Sequence, residues 1–133
     1  MKATVPPKKE TAGFRIKRVY APAAADDGLR VLVDRLWPRG IAKEKARIDL
    51  WLKDIAPSEA LRRRFHGEPS KWQEFVAAYD GELRHEPASA AVASLREHLR
   101  SQPVTLLYAA RDETHNNAVA LKAWLEGQTC HVS

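Results

Sequence analysis

The sequence has one cysteine, no long apolar run and no glycine-rich phosphate loop, and each absence removes a class of function. A single thiol, Cys130, cannot close an internal disulfide. It stands beside only His131 in an expected C-terminal tail, a poor setting for a nucleophile. No apolar stretch approaches the ~20 residues that cross a bilayer. The opening MKATVPPKKETAG carries Lys and Pro but no apolar h-region, so it reads as a disordered leader rather than a secretory signal. A cytoplasmic protein with no membrane contact is the expectation. The sequence contains no Walker loop, no GxGxxG and no GxSxG, and His66, His85, His98, His115 and His131 show no metal-ligand spacing. No metal, no cofactor and no serine hydrolase triad are expected.

What remains is an ordinary globular composition. The 133 residues suit one domain with one core. We expect a leader over 1–12, a single domain over 13–127 and a tail over 128–133. The net charge of +5 favours anionic partners, although 17 acidic residues are interspersed among 22 basic ones. Arg62-Arg63-Arg64 is the densest basic cluster.

Hydrophobic periodicity supplies the elements. FRIKRVYA at 14–21 alternates at its start and reads as a strand with one wet face, near a sheet edge. LRVLVDRLW at 29–37 and PVTLLYAA at 103–110 carry continuous apolar runs, the mark of strands buried on both faces. Between them, 41–56 reads as a loop with a short helix. Ser58 is a candidate N-cap, with Leu61 and Phe65 one helical turn apart. Ser70 begins a capping-box pattern with Gln73. Trp72, Phe75, Val76, Tyr79 and Leu83 then follow at helical spacing and should share one buried face. Pro87 and Ser89 introduce a helix with Val92, Leu95 and Leu99 inward. A last helix turns Ala118, Leu121 and Leu125 inward and should end at Gly127. Two doubly buried strands separated by helices imply a crossover and parallel pairing. The expected fold is a small α/β domain: a short, mostly parallel sheet flanked by helices, with helices on both faces. A winged-helix layout suits the helices but not the strands at 31–36 and 104–110.

In such sheets ligands bind at the carboxyl ends of the strands. Here the second strand ends in Asp34-Arg35, and the third in Tyr108 followed by Arg111-Asp112. The loop VDRLWPRG has the parts of a ligand loop. Pro38 stiffens it, Gly40 permits close backbone approach, Arg39 offers a planar fork for phosphate or carboxylate, and Trp37 offers a flat face. The competing reading is a capped strand end, with Asp34 paired to an arginine, Trp37 in the core and Arg39 solvated. Asn116 and Asn117 are natural caps for the last helix, whose N-terminus could also hold an anion.

The stretches RVLVDRLWPRGIAKEKARIDLWLKDIAPSEALRRRFHGEPSKWQEFVAAYDGEL at 30–83 and VTLLYAARDETHNNAVALKAWL at 104–125 resemble a bacterial and archaeal family, the YeaO-like group of domain of unknown function 488. The resemblance implies a compact α/β domain without an established activity. It directs attention to Asp34, Arg35, Trp37, Pro38, Arg39 and Gly40, then to Lys43, Trp51, Lys53, Pro57 and Ser58, then to Tyr108, Asp112, Asn116 and Asn117. In the wider group the equivalent of the third strand often reads as a Leu-Leu-Cys run followed by a Cys-His-Arg motif. Leu106-Leu107-Tyr108 and Thr114-His115-Asn116 stand there in this chain, so any thiol chemistry of those relatives should be absent.

The expectation is a cleft for a small-molecule or nucleotide-type anion. Arg35, Arg39 and Lys43 would meet the charge, and Trp37 or Trp51 would stack. Tyr108, Asn116, Asn117 and Gly40 would complete the lining. Asp34 or Asp112 would be the base if there is catalysis. The alternative is a nucleic-acid-binding transcriptional regulator using Arg62, Arg63 and Arg64.

Overall fold

The computed structural model describes residues 14–65 and 68–132, with side chains described as far as 127 except at 69. The expected leader, His66 and the side chain of Cys130 lie outside the described residues. Four strands form one parallel sheet: β1 (Phe14–Arg18), β2 (Leu29–Leu32), β3 (Leu50–Trp51) and β4 (Val104–Tyr108). Their order is β1-β4-β2-β3. The four α-helices among the described residues are α1 (Glu59–Arg64), α2 (Trp72–Leu83), α3 (Ala88–Leu99) and α4 (Asn117–Val132). The sheet is parallel and small, as the two apolar runs require. β2 and β4 are neighbours, with Leu29 opposite Val104 and Leu32 opposite Leu107. Among the described residues, β1 lies on the edge and pairs only with β4. Among the described residues, no helix is long and apolar enough to cross a membrane.

Alternation along the strands divides the interior in two. Val31, Val33, Val104, Leu106 and Tyr108 point to the face on which residues of all four helices pack, including Leu61, Tyr79, Leu95 and Leu121. Leu32 and Leu107 point the other way, into a smaller cluster with Val19, Trp37, Ile41, Ile48 and Trp51. That second face is covered by the loop between β2 and β3, not by α-helices. The expectation of helices on both faces is therefore corrected. A strand needs apolar cover on each side, and here one cover is irregular chain anchored by two tryptophans.

The helix ends follow local chemistry. Ser58 caps α1 as expected, its Oγ accepting from Leu61 N at 3.1 Å, while Glu82 on α2 accepts from both Ser58 N and Ser58 Oγ. The Ser70 capping box does not form. A 3₁₀ turn over Pro69–Lys71 leads into α2 instead, with Lys71 at the cap. The stripe on α2 is buried only in its C-terminal half. Tyr79 and Leu83 are enclosed, whereas Trp72, Phe75 and Val76 remain half-buried. α4 buries Ala118, Leu121 and Leu125 completely and continues through Gly127 to Val132. A Cβ at Gly127 would meet nothing, so no close approach forces the helix to stop there.

A buried ionic tie locks the opposite end of the sheet. Asp27 accepts from Lys17 Nζ, Arg30 Nη1 and Ala24 N. Burial alone would raise its carboxyl, but these donors overcome it and bring the pKa down to about 2. Gly28, at φ +67, lies so close to Pro103 that a Cβ would stand 2.2 Å from that carbonyl oxygen.

Candidate functional site

The carboxyl ends of β2 and β4 lie side by side, and Val33 N still donates to Leu107 O beyond the formal end of β2. The next residue, Asp34, fastens three elements. Its Oδ2 accepts from Ala109 N at 3.0 Å, just past β4. Its Oδ1 accepts from Asn117 Nδ2 at 3.0 Å, and that same amide donates to Val33 O. Its carbonyl accepts from Trp51 Nε1. Burial raises the Asp34 carboxyl above the ordinary range, against the opposing pull of the Asn117 and Ala109 bonds and the charge of Arg62.

The approach to α4 is equally constrained. Asn116 is buried and caps the helix, its Oδ1 accepting from Val119 N and its Nδ2 donating to Asp112 O. Asp112 Oδ1 accepts from Thr114 N, Thr114 Oγ1 and His115 N. The Thr114 and His115 amides hold its pKa at about 2.

These ends border a cleft of about 570 Å³. Asp34, Arg35, Trp37, Arg39, Asp112, Asn116 and Asn117 all line it, so much of the expected constellation converges. Four arginines contribute: Arg35, Arg39, Arg62 and Arg111. Arg35 is held in place by donating to the carbonyls of Ala56 and Pro57. Arg39, Arg62 and Arg111 are exposed, and among the described residues their side chains form no hydrogen bond or ion pair. The acidic lining is otherwise engaged. Both oxygens of Asp34 accept hydrogen bonds, Asp112 closes its own turn, and Glu68 pairs with Lys71 at 3.3 Å. The charge left to face a ligand is therefore positive.

Sequence reasoning missed the aromatic wall. Phe65, Trp72 and Phe75 line the cleft, with Trp72 stacked on Phe75 at 5.5 Å between centroids and edge-on to His115 at 5.1 Å. The half-buried state of Trp72 and Phe75 reflects this position. Periodicity assigned them to the core because a helix stripe does not reveal where its own packing ends.

Other expected residues stand elsewhere. Trp37 touches the cleft, but its Nε1 donates to Ile41 O and its ring meets Trp51 edge-on at 5.4 Å, inside the loop-covered cluster. Trp51 does not line the cleft, and Lys43 lies over the Trp37 ring. Gly40 serves the turn itself, at φ +79, and is likewise not a lining residue. Tyr108 is buried beneath the site, and burial raises its phenol. Among the described residues, no group of three or more His, Cys, Asp or Glu could hold a metal ion.

With this geometry in place, similarity to known proteins becomes informative. Residues 13–132 match the family model described as the inactive DUF488-N3 subclade. The chain belongs to this DUF488 family. The uncharacterized protein YeaO of Escherichia coli (strain K12) is 47% identical over 113 residues, covering 84% of this chain and 96% of that relative. An uncharacterized protein of Mycobacterium tuberculosis (strain H37Rv) is 43% identical over 114 residues, 86% of this chain and 94% of its own. One of Mycobacterium bovis matches to the same extent. No solved structure matches. The DUF488 match spans β1 to α4, so it includes every element that borders the cleft.

Proposed function

We propose that this DUF488 protein binds a small-molecule anion in the strand-end cleft and does so without catalysis there. The observation that carries the reading is the charge imbalance: the side chains of Arg39, Arg62 and Arg111 form no hydrogen bond or ion pair among the described residues, with only the charge of Arg62 reaching Asp34, while the acidic lining residues are engaged within the protein. Guanidinium groups that are not already paired are well suited to phosphate or carboxylate. A cavity of about 570 Å³ has the size of a small-molecule site.

Several features weigh against catalysis. Asp34 and Asp112 act as structural acceptors. Asp112, with its pKa near 2, is a weak base. Tyr108 stands at the strand end where a cysteine is often found in the wider group that this chain resembles, and the matching family is the inactive DUF488-N3 subclade. The nucleic-acid reading has less support. Arg63 pairs with Glu59, Arg64 lies over Phe65 and Arg62 enters the cleft, so the three do not present one basic face.

Calorimetric titration with ribose 5-phosphate at low salt tests the proposal. The wild type should saturate at one site per chain. Arg39→Lys keeps the charge but loses the planar fork, and should weaken binding by roughly five- to tenfold. Absence of saturable binding, or an Arg39→Lys variant equal to the wild type, would refute it.

A further inference from the structure

The arginines explain an anion but not the aromatic wall. Trp72 is half-buried at the start of α2, stacked at 26° on Phe75, which meets Phe65 edge-on at 6.2 Å. All three line the cleft opposite in character to Arg39 and Arg111, which line it as well. These rings also pack on the core, Phe75 meeting Tyr79 at 5.7 Å, but Trp72 and Phe75 keep part of their surface open to the cleft, whereas Tyr79 and Leu83 on the same helix are enclosed. The wall also has a polar edge. The imidazole of His115 meets Trp72 edge-on, with its Nδ1 3.0 Å from Thr114 Oγ1 and 3.5 Å from Asp112 Oδ2.

We infer that the anion carries a flat aromatic ring, which docks against Trp72 and Phe75 while the arginines hold its phosphate. The inference rests on the anion-binding reading above and adds the chemical class of the ligand, a nucleoside monophosphate or a phosphate ester of like shape. A flat ring gains from stacking whatever its identity, because every base has a π-face, and Trp72 offers an indole to the cleft that is not paired with a second tryptophan. Trp37 and Trp51, the stacking residues expected from sequence, are committed to each other. Ring recognition therefore falls to α2.

The test compares ligands that share a phosphate and differ by a ring. The four ribonucleoside 5′-monophosphates and ribose 5-phosphate are titrated into the full chain. At least one nucleotide should bind roughly five- to a hundredfold more tightly than ribose 5-phosphate, the range that stacking one base supplies. Trp72→Leu should bring the ratio of nucleotide to ribose 5-phosphate affinity close to one, and Trp72→Phe should restore part of it. If Trp72→Leu melts too low to assay, the wild-type ratio decides alone. Equal affinity for all five ligands would overturn the ring inference and leave the anion cleft standing. A ring advantage that survives in folded Trp72→Leu would overturn the assignment to α2. No binding by any of the five would remove both readings.

Discussion

The two faces of the sheet are built differently. One is covered by helices, whose inward residues recur at helical spacing: Val92, Leu95 and Leu99 on α3, and Ala118, Leu121 and Leu125 on α4. The other is covered by the loop from Trp37 to Trp51, which packs on Leu32, Leu107 and Val19 without any regular period. The helical cover produces the main core and, at the start of α2, the aromatic wall of the cleft. The loop cover also forms one side of the cleft, because the same short stretch sends Trp37 under the sheet and Arg39 toward solvent. VDRLWPRG is thus both capped strand end and cleft wall. Trp37 follows the structural reading, Asp34 is held by Ala109 N and Asn117 rather than by the expected arginine, and Arg35 and Arg39 line the cleft.

The largest test of this contrast removes a fully buried leucine from each face. Leu106→Ala opens the helical side and Leu107→Ala the loop side, one residue apart on β4. Each should cost about 2–5 kcal/mol, with Leu107→Ala the smaller because a loop can relax into the gap more easily than packed helices. Urea denaturation of the two variants measures it. A Leu107→Ala variant as stable as the wild type would show that the loop-covered face is not a core.

A smaller effect is expected where the faces meet, at Asp34. Both of its partners are donors, the Ala109 N–H and the Asn117 amide. Asp34→Asn offers one oxygen and one NH₂, so one donor loses its acceptor, at about 1–3 kcal/mol. The pH dependence gives the change a direction. Burial raises the folded pKa above 3.8, so the native state holds this proton more tightly than the unfolded chain. Wild-type stability relative to Asp34→Asn should therefore fall as pH rises above 3.8, and level once the carboxyl is ionised in both states. Asp27, at the other end of the sheet, has the opposite sign. Held at about 2, it contributes stability that is present above 3.8 and lost as pH falls toward 2. Urea melts of wild type, Asp34→Asn and Asp27→Asn across this range should give slopes of opposite sign. Parallel slopes would mean that Asp34 is not desolvated.

The same contrast explains what was legible in the sequence. Parallel pairing of β2 and β4 followed from two continuous apolar runs, because only strands covered on both faces have them. Convergence of Asp34, Arg39 and Asp112 followed from the parallel arrangement, since parallel neighbours end on one side. The loop cover was not legible, because Trp37, Ile41, Ile48 and Trp51 recur at no fixed interval. The aromatic wall was hidden for another reason. Trp72 and Phe75 continue the stripe of Tyr79 and Leu83 without a break, and only the three-dimensional position of α2 shows where the stripe leaves the core. Arg62 was grouped with Arg63 and Arg64 by sequence proximity, although successive helical residues point about 100° apart.

That last pair offers the most direct test of the anion cleft. Arg62 and Arg63 are adjacent on α1, both are exposed, and removing either lowers the net charge equally. Only Arg62 lines the cleft, while Arg63 pairs with Glu59 at the surface. The measurement is ribose 5-phosphate affinity at several salt concentrations for Arg62→Ala and Arg63→Ala. The account predicts that Arg62→Ala loses roughly tenfold or more in affinity, as loss of a charge-assisted contact does, while Arg63→Ala stays within about twofold of wild type. Equal losses in the two variants, shrinking together as salt rises, would show diffuse attraction to a basic surface and contradict the cleft.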